Sequence, residues 1–167
     1  MNENVYGRFS DVGYSEEFGP TVCYRSAGMA FEEGFRDGRL VSLSYNASGS
    51  LMLTNPIPKP AWMDTTAFSE PQSFALEADG QSLCSDFIWQ GLEKEKTDTG
   101  AVSRITLRHS VRSITVRVCM HLDGTGVMTR WLEVKNEGGS PVSVGKLAPL
   151  AGGVQILGLG TKPGDRL

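Results

Sequence analysis

The clearest alternation of apolar and polar residues lies between residues 102 and 150. Its period is two, as in a β-strand with one buried face. The first segment alternates the apolar residues Ile114, Val116, Val118 and Met120 with Thr115, Arg117, Cys119 and His121. In the second segment, Val127 to Lys135, one face holds the apolar residues Met128, Leu132 and Val134. Arg130 interrupts this apolar face, and Trp131 lies on the opposite face.

Turn-forming residues separate these segments. Asp123-Gly124-Thr125-Gly126 follows the first segment, and Asn136-Glu137-Gly138-Gly139 follows the second. Asp, Asn and Gly tolerate the positive φ angles that tight hairpins require. A third strand begins within Pro141 to Leu147. The pattern therefore predicts three consecutive antiparallel strands that form one unit.

The rest of the chain also favours short strands. The residues before Gly19 show no clear period and are predicted to be an irregular lead-in with at most one short strand. No segment combines a helical period with helix caps. Short strands at roughly ten-residue spacing predict an all-β fold, an antiparallel β-sandwich with few or no helices, in one domain over residues 1–167. The further predicted strands are Thr21–Arg25, two within Phe31–Tyr45 joined at Asp37-Gly38, Leu51–Thr54, Phe74–Ala78, Phe87–Glu93, Val102–His109 and Val154–Leu159.

A proline-rich segment, Asn55 to Pro71, differs from the strands around it. Proline cannot donate a hydrogen bond to a sheet, so a central strand is excluded here. We expect Trp62 to be a partly exposed surface contact, and Asp64 to be a candidate acceptor for a sugar hydroxyl. Loops of this length are uncommon unless they are functional or disordered. The alternative is that Trp62 packs over the end of the sandwich.

Composition and charge narrow the classes of function. A formal net charge of −3 argues against a nucleic-acid binder. The start, Met-Asn-Glu-Asn, has neither the basic residues nor the apolar run of a signal peptide, and no apolar stretch reaches membrane-spanning length. The three cysteines are odd in number and widely spaced, which favours free thiols in a reducing cytoplasm. We therefore expect a cytoplasmic protein without membrane or nucleic-acid partners.

Few residues suggest catalysis. His109 and His121 lie at the ends of two predicted strands, and pairing of those strands would bring the two close together. Cys119 and His121 share one strand face, a spacing that often arises by chance. The acidic residues fit no glycosidase motif, since hydrolysis of a glycoside requires two carboxylates across a cleft. The sequence therefore predicts no catalytic residue, no metal site and no cofactor.

The residues between Phe74 and Val154 resemble a known family. PQSFALEADGQSL, the strand around FIWQGLEKE, and the run from VRVCMHLDGTGVMTRWLEVKN to LAPLAGGV occur in the order found in the N-terminal domain of α-galactosidase-like enzymes, glycoside hydrolase family 36. The most specific part is Thr129 to Asn136, followed by Gly138, Pro141-Val142 and Leu147 to Leu150. Arg130 and Asn136 match an "R…N-G" pattern of that family.

This resemblance implies a β-supersandwich of the galactose-mutarotase-like kind. In such enzymes the domain precedes a (β/α)₈ barrel that carries the catalytic carboxylates, and residues 1–167 contain no barrel. The implied role is that of a non-catalytic N-terminal domain, which braces the catalytic barrel or a neighbouring subunit. The isolated chain is then expected to be inactive and to form a homo-oligomer.

Two other functions remain open. One is a stand-alone carbohydrate-binding module in which Trp62, Trp89 or Trp131 stacks on a sugar ring, since an aromatic face suits the apolar face of a sugar. The other is a sugar mutarotase that uses His109 and His121 as acid and base.

Overall fold

A computed structural model of the protein describes residues 9–17, 19–46 and 72–151. These residues form eleven β-strands in three antiparallel sheets and contain no helix, so the predicted all-β sandwich is confirmed. The predicted strands at 51–54 and 154–159, and the proline-rich segment with Trp62 and Asp64, lie outside the described residues. The strands are β1 Ser10–Ser15, β2 Thr21–Ser26, β3 Met29–Arg36, β4 Arg39–Asn46, β5 Ala75–Ala78, β6 Gln81–Ser82, β7 Phe87–Thr97, β8 Gly100–His109, β9 Ile114–Leu122, β10 Met128–Asn136 and β11 Val144–Ala148.

The first sheet is a meander with the order β1-β2-β3-β4. Its β3–β4 hairpin turns at Asp37 and Gly38, as predicted, and both residues have positive φ angles of 47° and 73°. Those angles are typical of the two-residue turns that match the twist of paired strands. The pairing of β3 with β4 shifts between Glu32 and Glu33, which marks a β-bulge.

The second sheet has the order β10-β9-β8-β7, with each strand antiparallel to its neighbour. The predicted pairing of the two clearest segments is confirmed, because β9 and β10 pair continuously from Met128 opposite Leu122 to Asn136 opposite Ile114. The turn between them is fixed by Asp123, whose Oδ1 accepts hydrogen bonds from the backbone and hydroxyl of Thr125.

The predicted three-strand unit is wrong in its third member. β11 does not add to β10 but crosses to a third sheet of order β11-β5-β6. Two hydrogen bonds of Asp79, in the β5–β6 turn, fix the position of the segment before β11. The backbone N–H of Asp79 donates to the carbonyl of Ser143 (2.8 Å), and its Oδ1 accepts from the N–H of Ser143 (2.9 Å). These two bonds place β11 alongside β5.

One hydrophobic core includes residues of all three sheets. Burying a large apolar side chain contributes about 1.5–3 kcal/mol, so this shared core holds the sheets together. In β8, Ile105 and Leu107 are buried on one face, and Val102 lies on the other face. The buried apolar side chains of this core include Tyr24, Phe31, Leu40, Phe74, Leu76, Phe87, Ile105, Leu107, Val116, Val118 and Leu122.

Candidate functional site

A buried ion pair joins the first and second sheets. Arg130, the residue that interrupts the apolar face of β10, reaches Glu33 on β3 with both terminal nitrogens, Nη1 to Oε1 at 3.1 Å and Nη2 to Oε2 at 2.8 Å. The Glu33 side chain is fully buried and that of Arg130 is 7% exposed. Such a two-pronged contact is the strongest geometry for a guanidinium and a carboxylate. The polar position in an apolar strand is therefore explained by an acid from another sheet.

Further groups complete this network. Tyr24 donates its hydroxyl to Glu33 Oε1 at 2.7 Å, and Ser73 donates to Oε2. Arg130 donates from Nε to the carbonyl of Pro149 (2.6 Å) and from Nη2 to Ser73 Oγ (2.8 Å). We call these residues the Arg130–Glu33 clamp: Tyr24, Glu33, Ser73, Arg130 and the carbonyl of Pro149. Both carboxylate oxygens have partners, as buried charges require.

The electrostatics of the clamp favour charged Arg130. Burial lowers the pKa of Arg130, but the attraction of Glu33 and its hydrogen bonds outweigh burial, so the pKa lies above its ordinary value. Burial and the neighbouring Glu33 charge raise the pKa of the Tyr24 phenol well above its ordinary value. Tyr24 therefore stays a hydrogen-bond donor at neutral pH.

A second buried carboxylate lies next to the first in sequence. Glu32 accepts hydrogen bonds from Cys23 Sγ (3.6 Å) and from the hydroxyl of Ser44. Burial, followed by the charge of Glu32, raises the pKa of the Cys23 thiol to about 12. Neighbouring residues of a strand point to opposite faces, so Glu32 and Glu33 cannot flank one glycosidic bond. The sequence pattern did not reveal either acid as buried.

The two histidines are far apart, so a mutarotase that uses them as a pair is excluded. His121 pairs with Val102, at the opposite end of β8 from His109. Seven residues of strand separate them, which corresponds to roughly 23 Å. His109 Nδ1 accepts hydrogen bonds from the backbone of Val111 (3.2 Å) and Arg112 (3.0 Å). This histidine shapes the turn after β8.

Cys23 and Cys119 are poor nucleophiles. Cys119 is buried beside its strand neighbours, and burial, followed by the charge of Glu133, raises its pKa to about 11. The thiolate is the nucleophilic form of cysteine, and with a pKa of about 11 almost none of Cys119 is a thiolate at neutral pH. Cys119 is therefore a poor nucleophile even with His121 on the same strand face. All three cysteines, Cys23, Cys84 and Cys119, are free thiols, as predicted.

Two of the three tryptophans lie in the described residues. Trp89 is held in an aromatic cluster, stacked on Tyr14 with ring centroids 6.1 Å apart and tilted against Phe35 at 5.9 Å. Trp131 is half-buried on the outer face of β10, where its Nε1 donates weakly to Glu133 at 3.4 Å. Trp131 is the better placed of these two for contact with a ligand.

The described residues contain no group of three or more His, Cys, Asp or Glu side chains that would hold a metal ion. No helix in this part of the chain has the length and hydropathy of a membrane span.

Comparison of the chain with models of protein families, with curated protein sequences and with solved structures found no match.

Proposed function

We propose that the chain is a non-catalytic β-sandwich domain of an α-galactosidase-like glycoside hydrolase, which braces the catalytic barrel or a neighbouring subunit. The observation that carries this proposal is the apolar surface of β11. Val144 and Leu147 on this strand, and Leu150 just after it, are 49%, 48% and 56% exposed. Large apolar side chains that share one short segment favour contact with another protein surface.

The position of β11 supports the same role. β11 is an edge strand that pairs with β5 on one side and with no other strand of the described residues. An edge strand offers free backbone N–H and C=O groups to a second chain. The clamp supplies a rigid base for it, because Arg130 binds the carbonyl of Pro149 directly after β11.

The resemblance to glycoside hydrolase family 36 supports the carbohydrate-metabolism part of the proposal. The residues that carry it fall on β5, β6, β7, β9, β10 and β11. Arg130, one of the two residues of its "R…N-G" pattern, is the centre of the clamp. We place the protein in the cytoplasm, because three free thiols suit a reducing compartment.

Light scattering over a dilution series tests the bracing surface. We expect the purified chain to self-associate at high micromolar concentration, and Leu147→Lys to shift it to the monomer, since a charge at a buried contact costs desolvation energy. Val111→Lys is the matched control, because Val111 is 79% exposed in the turn before β9. A chain that stays monomeric at high micromolar concentration would count against the neighbouring-subunit role.

The coding DNA tests whether a catalytic barrel is encoded after this domain. A reading frame that continues beyond Leu167 into alternating strands and helices would support bracing of a barrel. A stop codon at that point would contradict it.

A further inference from the structure

The outer face of the second sheet carries a polar groove. It has a volume of about 680 Å³, within the range of small-ligand sites. All four strands of the sheet contribute to it, and the protein core lies on the opposite face. The lining residues are Gln90, Thr106, Arg108, Thr115, Arg117, Glu133, Val134, Lys135 and Glu137.

Strand register orders the groove into two rows. Arg108, Thr115 and Lys135 lie opposite one another across β8, β9 and β10. Thr106, Arg117 and Glu133 form the next row. Adjacent strands lie about 4.8 Å apart, so the long side chains of Arg108 and Lys135 can converge over Thr115.

Two of the three cationic side chains that line the groove form ion pairs. Arg117 pairs with Glu133 at 3.6 Å, and Lys135 with Glu137 at 3.1 Å. No ion pair of the described residues includes Arg108, which is exposed. Exposed pairs such as that of Lys135 are weak and exchange readily for a ligand. Hydrogen bonds from Lys135 and Thr115, and the charges of Lys135 and Arg108, lower the pKa of Glu137, so both cations lie near this exposed carboxylate. The groove therefore offers an anion one guanidinium without a close ion pair and one ammonium in a weak, exposed pair.

We propose that this groove binds an oligosaccharide that contains uronic acid residues. A sugar carboxylate fits Arg108, whose planar fork matches a carboxylate, with Lys135 as the second cation. Gln90, Thr106 and Thr115 supply both donors and acceptors for ring hydroxyls. Trp131 lies one row further along β10 than Glu133, about 7 Å away, where the next sugar ring would pack on it.

The groove suits an acidic sugar better than a nucleic acid. A nucleic acid needs cations along its phosphate backbone, and the groove has only Arg108 and Lys135 outside the Arg117–Glu133 pair, whereas an acidic sugar can bind through a single carboxylate. The net charge of −3 is also unfavourable for nucleic acid. This inference is independent of the bracing role, because the groove and β11 belong to different sheets.

Isothermal titration calorimetry of the whole chain tests the site with three probes: trigalacturonate, neutral galactotriose and a short oligothymidylate. We expect trigalacturonate to bind at least ten-fold more tightly than galactotriose. Arg108→Gln is expected to weaken it ten-fold or more. Arg25→Gln is the matched control, because Arg25 lies on β2 in the first sheet, is committed to Asp11 at 2.8 Å and does not line the groove; it should change affinity less than two-fold.

A second variant, Lys135→Gln, should also weaken trigalacturonate binding while leaving the melting temperature unchanged. The proposal is overturned if trigalacturonate does not bind at millimolar concentration, if galactotriose binds equally well, or if oligothymidylate binds more tightly. Equal affinity of the wild type and Arg108→Gln would overturn it too. In that last case the groove is a solvated sheet face.

Discussion

At the scale of the residue, Arg130 shows what a single polar position in an apolar strand can mean. Its charge is buried against Glu33 with both carboxylate oxygens bonded. Removing one member of a buried pair leaves the other charge without a partner, and that usually costs about 3–5 kcal/mol. The clamp therefore stabilises the contact between sheets only while both members are present.

We expect Arg130→Met, which keeps most of the side-chain volume, to lower the free energy of unfolding by about 3–5 kcal/mol. Arg117→Met is the control. Arg117 pairs with Glu133, both side chains are about half exposed, and such a pair should contribute at most about 1 kcal/mol. Urea unfolding of both variants measures the difference. Similar losses for the two substitutions would show that the clamp contributes no more than a surface ion pair.

His109 gives a pH dependence with a defined sign. Burial lowers its pKa from the ordinary 6.5, with Asp86 opposing and Arg112 adding to the shift. The unfolded chain therefore binds the proton more tightly than the folded chain does. The contribution of His109 to the free energy of unfolding is complete above about pH 6.5, and it is lost as the pH falls through the lowered pKa of the folded state.

We expect His109→Asn to flatten the loss of unfolding free energy between pH 7 and pH 5. The Asn side-chain oxygen can accept the N–H groups of Val111 and Arg112 in place of Nδ1, so the turn is retained. Urea unfolding at a series of pH values measures this slope, with His121→Asn as the control. A slope equal to that of the wild type would show that His109 does not carry the effect.

At the scale of the element, the ends of β8 and β9 meet closely. Gly100 begins β8 with a φ of 145°, and a Cβ added there would lie 1.8 Å from the carbonyl oxygen of Leu122. A side chain would therefore have to displace backbone at the end of β9. Only glycine satisfies both the angle and the distance.

We expect Gly100→Ala to cost about 3 kcal/mol or more, since backbone strain and overpacking each cost about 1–3 kcal/mol. Gly126→Ala is the matched control, because no atom lies within 4 Å of its added Cβ. Thermal melting compares them, at about 2–4 °C per kcal/mol for a domain of this size. Equal melting temperatures for the two variants would contradict the close approach at Leu122.

At the scale of the whole molecule, the two fully buried acids have structural roles. Glu32 and Glu33 are buried on opposite faces of one strand, and both are bonded to neighbouring side chains. The Arg130–Glu33 clamp and the shared core hold the three sheets together.

We expect the purified chain to show no turnover of aryl α- or β-galactosides. Release of the chromogenic group measures turnover. Activity that survives repurification, and that disappears when one of the chain's own carboxylates is replaced, would contradict this expectation. A barrel-containing glycosidase at the same concentration is the positive control.

The sequence by itself determined most of the described strands and several turns. Alternation of period two is a local property, so the β9–β10 pair and the face of β8 could be predicted from it. Asp37-Gly38 and Asp123-Gly124 marked turns because their backbone preferences are also local. Arg130 could be recognised as exceptional, since it interrupts an apolar face.

Only the tertiary structure decided which strands become neighbours. Arg130 and Glu33 are 97 residues apart, and no local pattern selects Glu33 over another acid. The crossing of β11 to β5 depends on Asp79, which is 64 residues from Ser143, so the nearest strand in sequence was the wrong partner. The separation of His109 from His121 followed from the antiparallel direction of β8 and β9, which places their C-terminal ends at opposite ends of the pair. Local patterns specify a strand and its faces, whereas pairing depends on contacts between residues distant in the chain.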